Sequence, residues 1–151
     1  MPVYVDADAC PVKEEVYRVA RRHAEKVYIV ANSPMRVPTE DLIELVVVRG
    51  GFDAADDWIV EQIGPGDVAI TTDIPLAGRC LRKGARVLGP KGSPFTEDSI
   101  GDALATRGLL EMLRQAGTIG GGPGPFAKAD RSRFLAKLDE FLHAARRDRK
   151  A

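Results

Sequence analysis

Short runs of β-branched residues alternate along the chain with stretches in which apolar residues recur every three or four positions. Val3 to Val5, Val27 to Val30, Leu45 to Val48, Val68 to Ile70 and Arg86 to Leu88 read as strands. Between them, Val12, Val16, Val19 and Ala20 mark one helical face. Ala55, Ile59, Val60 and Ile63 mark a second, and Ile74 to Leu81 form a third helix. The punctuation agrees with this division. Pro11 suits a first helical turn, where its missing N–H has no partner to lose. Gly64-Pro65-Gly66 stops the second helix, and Gly84 caps the third. Strands alternating with helices predict right-handed βαβ crossovers, hence an α/β fold: a three-layer sandwich around a mostly parallel central sheet.

Beyond Leu88 the pattern changes to G-P-K-G-S-P-F, followed by a predicted helix from about Thr96 to Gln115 with Thr96 and Ser99 at its N-cap and Gly117 as its stop. A Gly-rich loop covers about 118–128. A last amphipathic helix, about 130–147, carries Phe134, Leu135, Leu138, Phe141 and Leu142 before a mostly basic end. The expected organisation is one domain over residues 1–151 with a helical C-terminal extension. The chain has 151 residues, 44% of them hydrophobic, which is enough for a real core. Its formal net charge is zero, so whole-molecule charge cannot draw it to a polyanion and any basic surface must be local. No apolar run approaches the ~18 residues of a membrane span. With no signal segment before Val3, and Cys10 and Cys80 far apart, a reduced, cytoplasmic protein with no membrane contact is expected.

The acidic residues change the picture most, because they fall where strands end or helices begin. Asp6 and Asp8 follow the first strand and Asp73 follows the fourth, in V-A-I-T-T-D-I-P-L-A. In an open parallel sheet, ligands bind outside the carboxyl ends of strands, so acids at two such ends can share a pocket. Asp6 and Asp8 can offer oxygens to a hard cation, Mg²⁺ or Mn²⁺; the bland alternative for Asp8 is a cap on the helix near Pro11. Asp53, Asp56 and Asp57 share one helical turn after Gly50-Gly51. The helix dipole explains one of them, and Asp57 and Asp53 are the preferred ligands among the three. Asp73 is the strongest single candidate: N-capping explains its position but not the extended T-T-D, whose Thr71 and Thr72 hydroxyls can orient a carboxylate or bind phosphate.

Candidate cations for a phosphate backbone are Lys13, Arg36, Lys91, Lys128, Arg131 and Arg133, the last three close to the Gly-rich loop. Cys10 sits near a helix N-terminus, which lowers a thiol pKa, but the neighbouring carboxylates raise it again, and neither His23 nor His143 has a local motif. A catalytic thiol is not expected. Cys80 reads as core and Trp58 as packing.

T-T-D-I-P-L-A-G-R-C-L-R-K-G-A-R-V resembles the strand, turn and helix around an acidic ligand in PIN-like nuclease domains. With D-A-D-A-C-P, G-G-F-D-A-A-D-D-W-I and G-G-G-P-G-P-F-A-K-A-D-R-S-R-F, nearly the whole chain is similar to the YaiI/YqxD-like bacterial family, grouped with the PIN-like fold and generally described as uncharacterised. The resemblance implies that Asp6, Asp57 and Asp73 are the catalytic acids, with Asp53 and Asp56 matching more loosely and Asp98 or Asp102 as a fourth. The chain departs from the nuclease pattern in placing Asp8, Cys10 and Pro11 after the first acid. The implied activity is metal-dependent phosphodiester hydrolysis, on RNA rather than DNA, with Mg²⁺ or Mn²⁺ activating a water. Two other readings compete. One is a non-catalytic PIN-like module that binds RNA or a protein. The other is a haloacid-dehalogenase-type phosphatase, with Asp6 as nucleophile and Asp8 as acid/base; there the acids at 53–57 come before Thr71, where that class wants them after.

Overall fold

The computed structural model describes residues 2–7, 10–51, 53–101 and 127–150, with side chains as far as residue 144 in the last segment. In chain order the elements are β1 (Val3–Asp6), α1 (Lys13–His23), β2 (Val27–Ala31), β3 (Ile43–Val47), α2 (Ala54–Gln62), β4 (Val68–Ile70), α3 (Ile74–Arg82), β5 (Arg86–Leu88), β6 (Pro94–Phe95) and α4 (Lys128–Lys150). They form one six-stranded sheet in the order β3-β2-β1-β4-β5-β6. The first five strands are parallel, and only β6 is antiparallel to its neighbour.

Alternation along the strands assigns the two faces. Val3 and Val5 of β1, Val27 and Ile29 of β2, and Val68 and Ile70 of β4 pack with α1 and α4. Tyr4, Val30, Ala69 and Val87 point the other way, against α2 and α3. Burial on both faces is why the central strands read as unbroken apolar runs. The result is the expected three layers. In α4, Phe134, Leu138 and Leu142 are fully buried against this core. Each contributes about 1.5–3 kcal/mol of burial, which makes α4 an integral part of the fold. Among the described residues, no helix is long and apolar enough to cross a membrane.

Several boundaries differ from the sequence expectation. β3 starts at Ile43, two residues before Leu45, because a turn closed by the Glu40–Ile43 bridge begins the pairing earlier. α1 starts at Lys13; Pro11 and Val12 form the turn before it, and the Val16 N–H closes on the Val12 carbonyl at 3.0 Å. The G-P-K-G-S-P-F segment carries an unexpected strand, β6. Its hairpin is closed by the Gly89 N–H on the Ser93 carbonyl at 2.9 Å and turns at Gly92, φ +87°. Thr96 and Ser99 do cap a helical turn at 97–101, each backbone N–H bonding the other's hydroxyl. The rest of that predicted helix, Gly117 and 118–126 of the Gly-rich loop lie outside the described residues. α4 is longer than 130–147 at both ends, and its entry is held by the Ala127 N–H on Asp130 Oδ2 at 2.9 Å.

Candidate functional site

The chain adds strands outward from β1 to β2 and β3, then returns and adds β4, β5 and β6 on the other side. The carboxyl ends of β1 and β4 therefore flank the switch point of the sheet, where open α/β folds bind ligands. Asp6 ends β1 and Thr71 follows β4. Because Val5 pairs with Ile70, the next residues, Asp6 and Thr71, stand side by side. Both continue the face of Tyr4 and Ala69, toward α2 and α3.

Thr71 is the central fixture. Its buried hydroxyl donates to Asp6 Oδ2 at 2.9 Å and accepts from the Asp73 N–H at 2.9 Å. One side chain thus sets both the Asp6 carboxylate and the backbone that carries Asp73. Asp73 in turn caps α3, its Oδ1 accepting from the Leu76 N–H at 2.9 Å, with Pro75 in the first turn. The cap is real, and it also fixes where the Asp73 carboxylate stands. Thr72 is exposed.

α2 brings the third acid. Asp53 is its N-cap residue without a side-chain capping bond, and Asp56 and Asp57 lie in its first turn. Asp56 is pushed up to about 6, first by burial, then by the negative charges of Asp73, Asp6 and Asp53, with Arg79 opposing. Four carboxylates from β1, α2 and the β4–α3 turn therefore share one field. Asp57 faces elsewhere: it is more than half exposed and ion-paired to Arg79 of α3 at 2.9 Å. Sequence reasoning preferred Asp57 and passed over Asp56, although the helical period distinguished them. At about 100° per residue, Asp56 flanks the buried Ala55–Ile59–Ile63 stripe and Asp57 lies opposite it. No three of the described acids bring an oxygen within 4.8 Å of one another, so they form an open ring, not a closed cage. Asp98 is exposed on the turn at 97–101. Asp8 and Asp102 lie outside the described residues.

Of the candidate cations, Lys13, Arg131 and Arg133 are engaged by neighbours. Lys13 Nζ donates to the Cys10 carbonyl at 2.7 Å, and Lys13 and Arg36 line a cleft of about 330 Å³ beside Tyr17. Arg131 bridges from α4 to Glu15 at 3.0 Å and to the Pro11 carbonyl at 3.3 Å. Arg133 pairs with Asp130. The Ala127 N–H, then Arg133 and Lys91, hold the Asp130 carboxyl below the usual range against the effect of burial. Lys128 is exposed at the first residue of α4.

The remaining residues behave as packing. Burial above all pushes the Cys10 thiol up to about 11, helped by Asp6 and Glu15, so it carries no thiolate at neutral pH. Cys80 is fully buried and likewise raised to about 11 by burial. Trp58 packs on the Tyr4–Tyr28 stack, with ring centroids 6.1 and 5.9 Å away.

Comparison with known proteins gives this geometry a family. The chain is 58% identical over 145 residues to the UPF0178 protein amb2838 of Paramagnetospirillum magneticum, covering 96% of each chain. It is 56% identical over 153 residues to the UPF0178 protein RC1_2062 of Rhodospirillum centenum, covering 99% of each. No solved structure gives a significant match. The family model described as "Uncharacterized BCR, YaiI/YqxD family" matches residues 4–144, a span that includes every acid of the ring, and the chain belongs to that bacterial family.

Proposed function

We propose that the protein is a metal-dependent, PIN-like nuclease that hydrolyses phosphodiester bonds, with RNA as substrate. The observation that carries this reading is the gathering of Asp6, Asp53, Asp56 and Asp73 at the switch point, where burial first, and then the charges of the other three acids, push Asp56 up to about 6. Carboxylates are gathered against their own repulsion where a cation offsets it. The donor set fits a hard ion, Mg²⁺ or Mn²⁺, and an open ring suits Mg²⁺, which keeps several waters. Asp6, Asp56 and Asp73 would hold the ion, with Asp53 at the edge; Asp56 takes the role that the family resemblance implied for Asp57. When bound, such an ion supplies a Lewis acid for the phosphodiester and a more acidic water. Thr71 keeps Asp6 in one orientation, so that less reorganisation accompanies the reaction. Lys13, Arg36, Lys91, Lys128 and Arg131 are the cations that would hold the strand, Lys13 and Arg131 by exchanging their present partners for phosphate.

The test is cleavage of end-labelled single-stranded RNA by purified protein with Mn²⁺, with EDTA, and by Asp73→Asn with Mn²⁺. Metal-dependent cleavage lost in Asp73→Asn supports the nuclease. Absence of cleavage by native protein that binds Mn²⁺ overturns it in favour of a non-catalytic module.

A further inference from the structure

The chain's two histidines meet at the opposite end of the sheet from the acids. α1 returns from the carboxyl end of β1, so its last residue, His23, lies roughly 15 Å along the helix from Lys13, at ~1.5 Å per residue. α4 packs against it there. His23 is only 4% exposed, and its Nε2 lies 2.7 Å from Asp139 Oδ1. His143, one turn beyond Asp139 on α4, presents its Nε2 3.6 Å from Asp139 Oδ2. The two imidazoles stand edge to face, centroids 4.6 Å apart. One ligand atom from each of the three residues lies within 4.8 Å of the other two.

We propose that His23, Asp139 and His143 form a second metal site, for a borderline divalent ion such as Zn²⁺, that pins α1 to α4. A simple ion pair accounts for His23 and Asp139, but not for a second imidazole turned to the same carboxylate at 3.6 Å, beyond hydrogen-bond distance. Coordination accounts for both. With Zn–N near 2.0–2.1 Å, tetrahedral donor atoms stand roughly 3.3 Å apart. The His143–Asp139 separation is already near that value. The His23–Asp139 contact opens by roughly half an ångström as its hydrogen bond gives way to coordination, on the same scale. Asp139 and His143 are four apart on one helix face, a spacing that lets two ligands reach one ion. Three protein ligands leave one position for water. Arg22 Nη1, 3.5 Å from Asp139 Oδ1, opposes a cation, but its side chain is 60% exposed and free to swing into solvent. Two nitrogens and one carboxylate select a softer metal than the all-oxygen ring does.

The experiment is calorimetric titration of the purified full-length protein with ZnCl₂ in excess Mg²⁺, paired with thermal unfolding, for wild type, His143→Ala and Asp73→Asn. His143 is 59% exposed, so its removal costs little beyond the edge-to-face contact with His23 and lowers the metal-free unfolding temperature only slightly. Wild type and Asp73→Asn are expected to bind one Zn²⁺ and unfold at higher temperature with it. His143→Ala is expected to lose at least about tenfold in Zn²⁺ affinity. No Zn²⁺ binding by wild type, equal binding by His143→Ala, or loss of binding in Asp73→Asn overturns the proposal.

Discussion

Replacing Asp56 by Asn keeps the shape of the side chain and removes one of the negative charges gathered where β1, α2 and the β4–α3 turn meet. For most buried or capping acids such a change costs stability; here it should add some. The folded chain releases the Asp56 proton near 6, an unperturbed carboxyl near 3.8. Between those values the folded state holds more protons than the unfolded state, so stability falls as pH rises. The penalty is absent well below pH 3.8, still small at pH ~4 and nearly complete above pH ~6.5. At about 1.4 kcal/mol per pKa unit the ceiling is about 3 kcal/mol. Asp56 is only partly buried, and solvent screening brings the expected gain to about 1 kcal/mol. The assay is urea unfolding in EDTA, followed by fluorescence of the single tryptophan, Trp58, at about pH 4 and about pH 7.5. Asp56→Asn should be more stable than wild type at the higher pH and nearly equal to it at the lower. Asp57→Asn loses only the surface pair with Arg79 and should fall by 0 to about 1 kcal/mol. An Asp56→Asn protein less stable than wild type at about pH 7.5, or shifted equally at both pH values, would refute the convergence of these acids.

Other outcomes follow from particular contacts. Thr71→Val removes the hydroxyl from Asp6 and from the Asp73 N–H and should cost about 1–3 kcal/mol in denaturant unfolding, while Thr71→Ser retains most of the stability. A Cβ on Gly92 would stand 2.7 Å from the Arg133 carbonyl carbon at φ +87°, so Gly92→Ala should lower stability by more than about 2 kcal/mol by detaching the hairpin from α4. Neither Cys10 nor Cys80 should react with a thiol reagent at about pH 8 in the native state, and both should react in denaturant; rapid native labelling of Cys10 would contradict its burial.

What the sequence made legible was local. α3 shows this best: Asp73 at its N-cap and Gly84 past its end are close along the chain, and the structure uses each where the pattern put it. The switch point was legible too, because alternation of strand and helix placed Asp6 and Asp73 at carboxyl ends. β6 was not: it is two residues long, contains Pro94, and exists only by pairing with β5. The start of β3 depends in the same way on the bridge at Glu40. The choice between Asp56 and Asp57 turned on which side of α2 meets the sheet, and carboxylate spacing alone did not ask that question. His23 and His143 stand 120 residues apart and lack a shared motif, so only the packing of α4 on α1 brings them together.

The central claim is that Asp6, Asp56 and Asp73 serve one hard cation. Calorimetric Mn²⁺ titration of wild type, Asp56→Asn and Asp57→Asn tests it most directly. Wild type is expected to bind Mn²⁺, Asp56→Asn to bind it at least about tenfold more weakly, a loss of about 1.4 kcal/mol or more, and Asp57→Asn to bind it near-natively. Absence of Mn²⁺ binding by wild type, or a greater loss in Asp57→Asn than in Asp56→Asn, would contradict it.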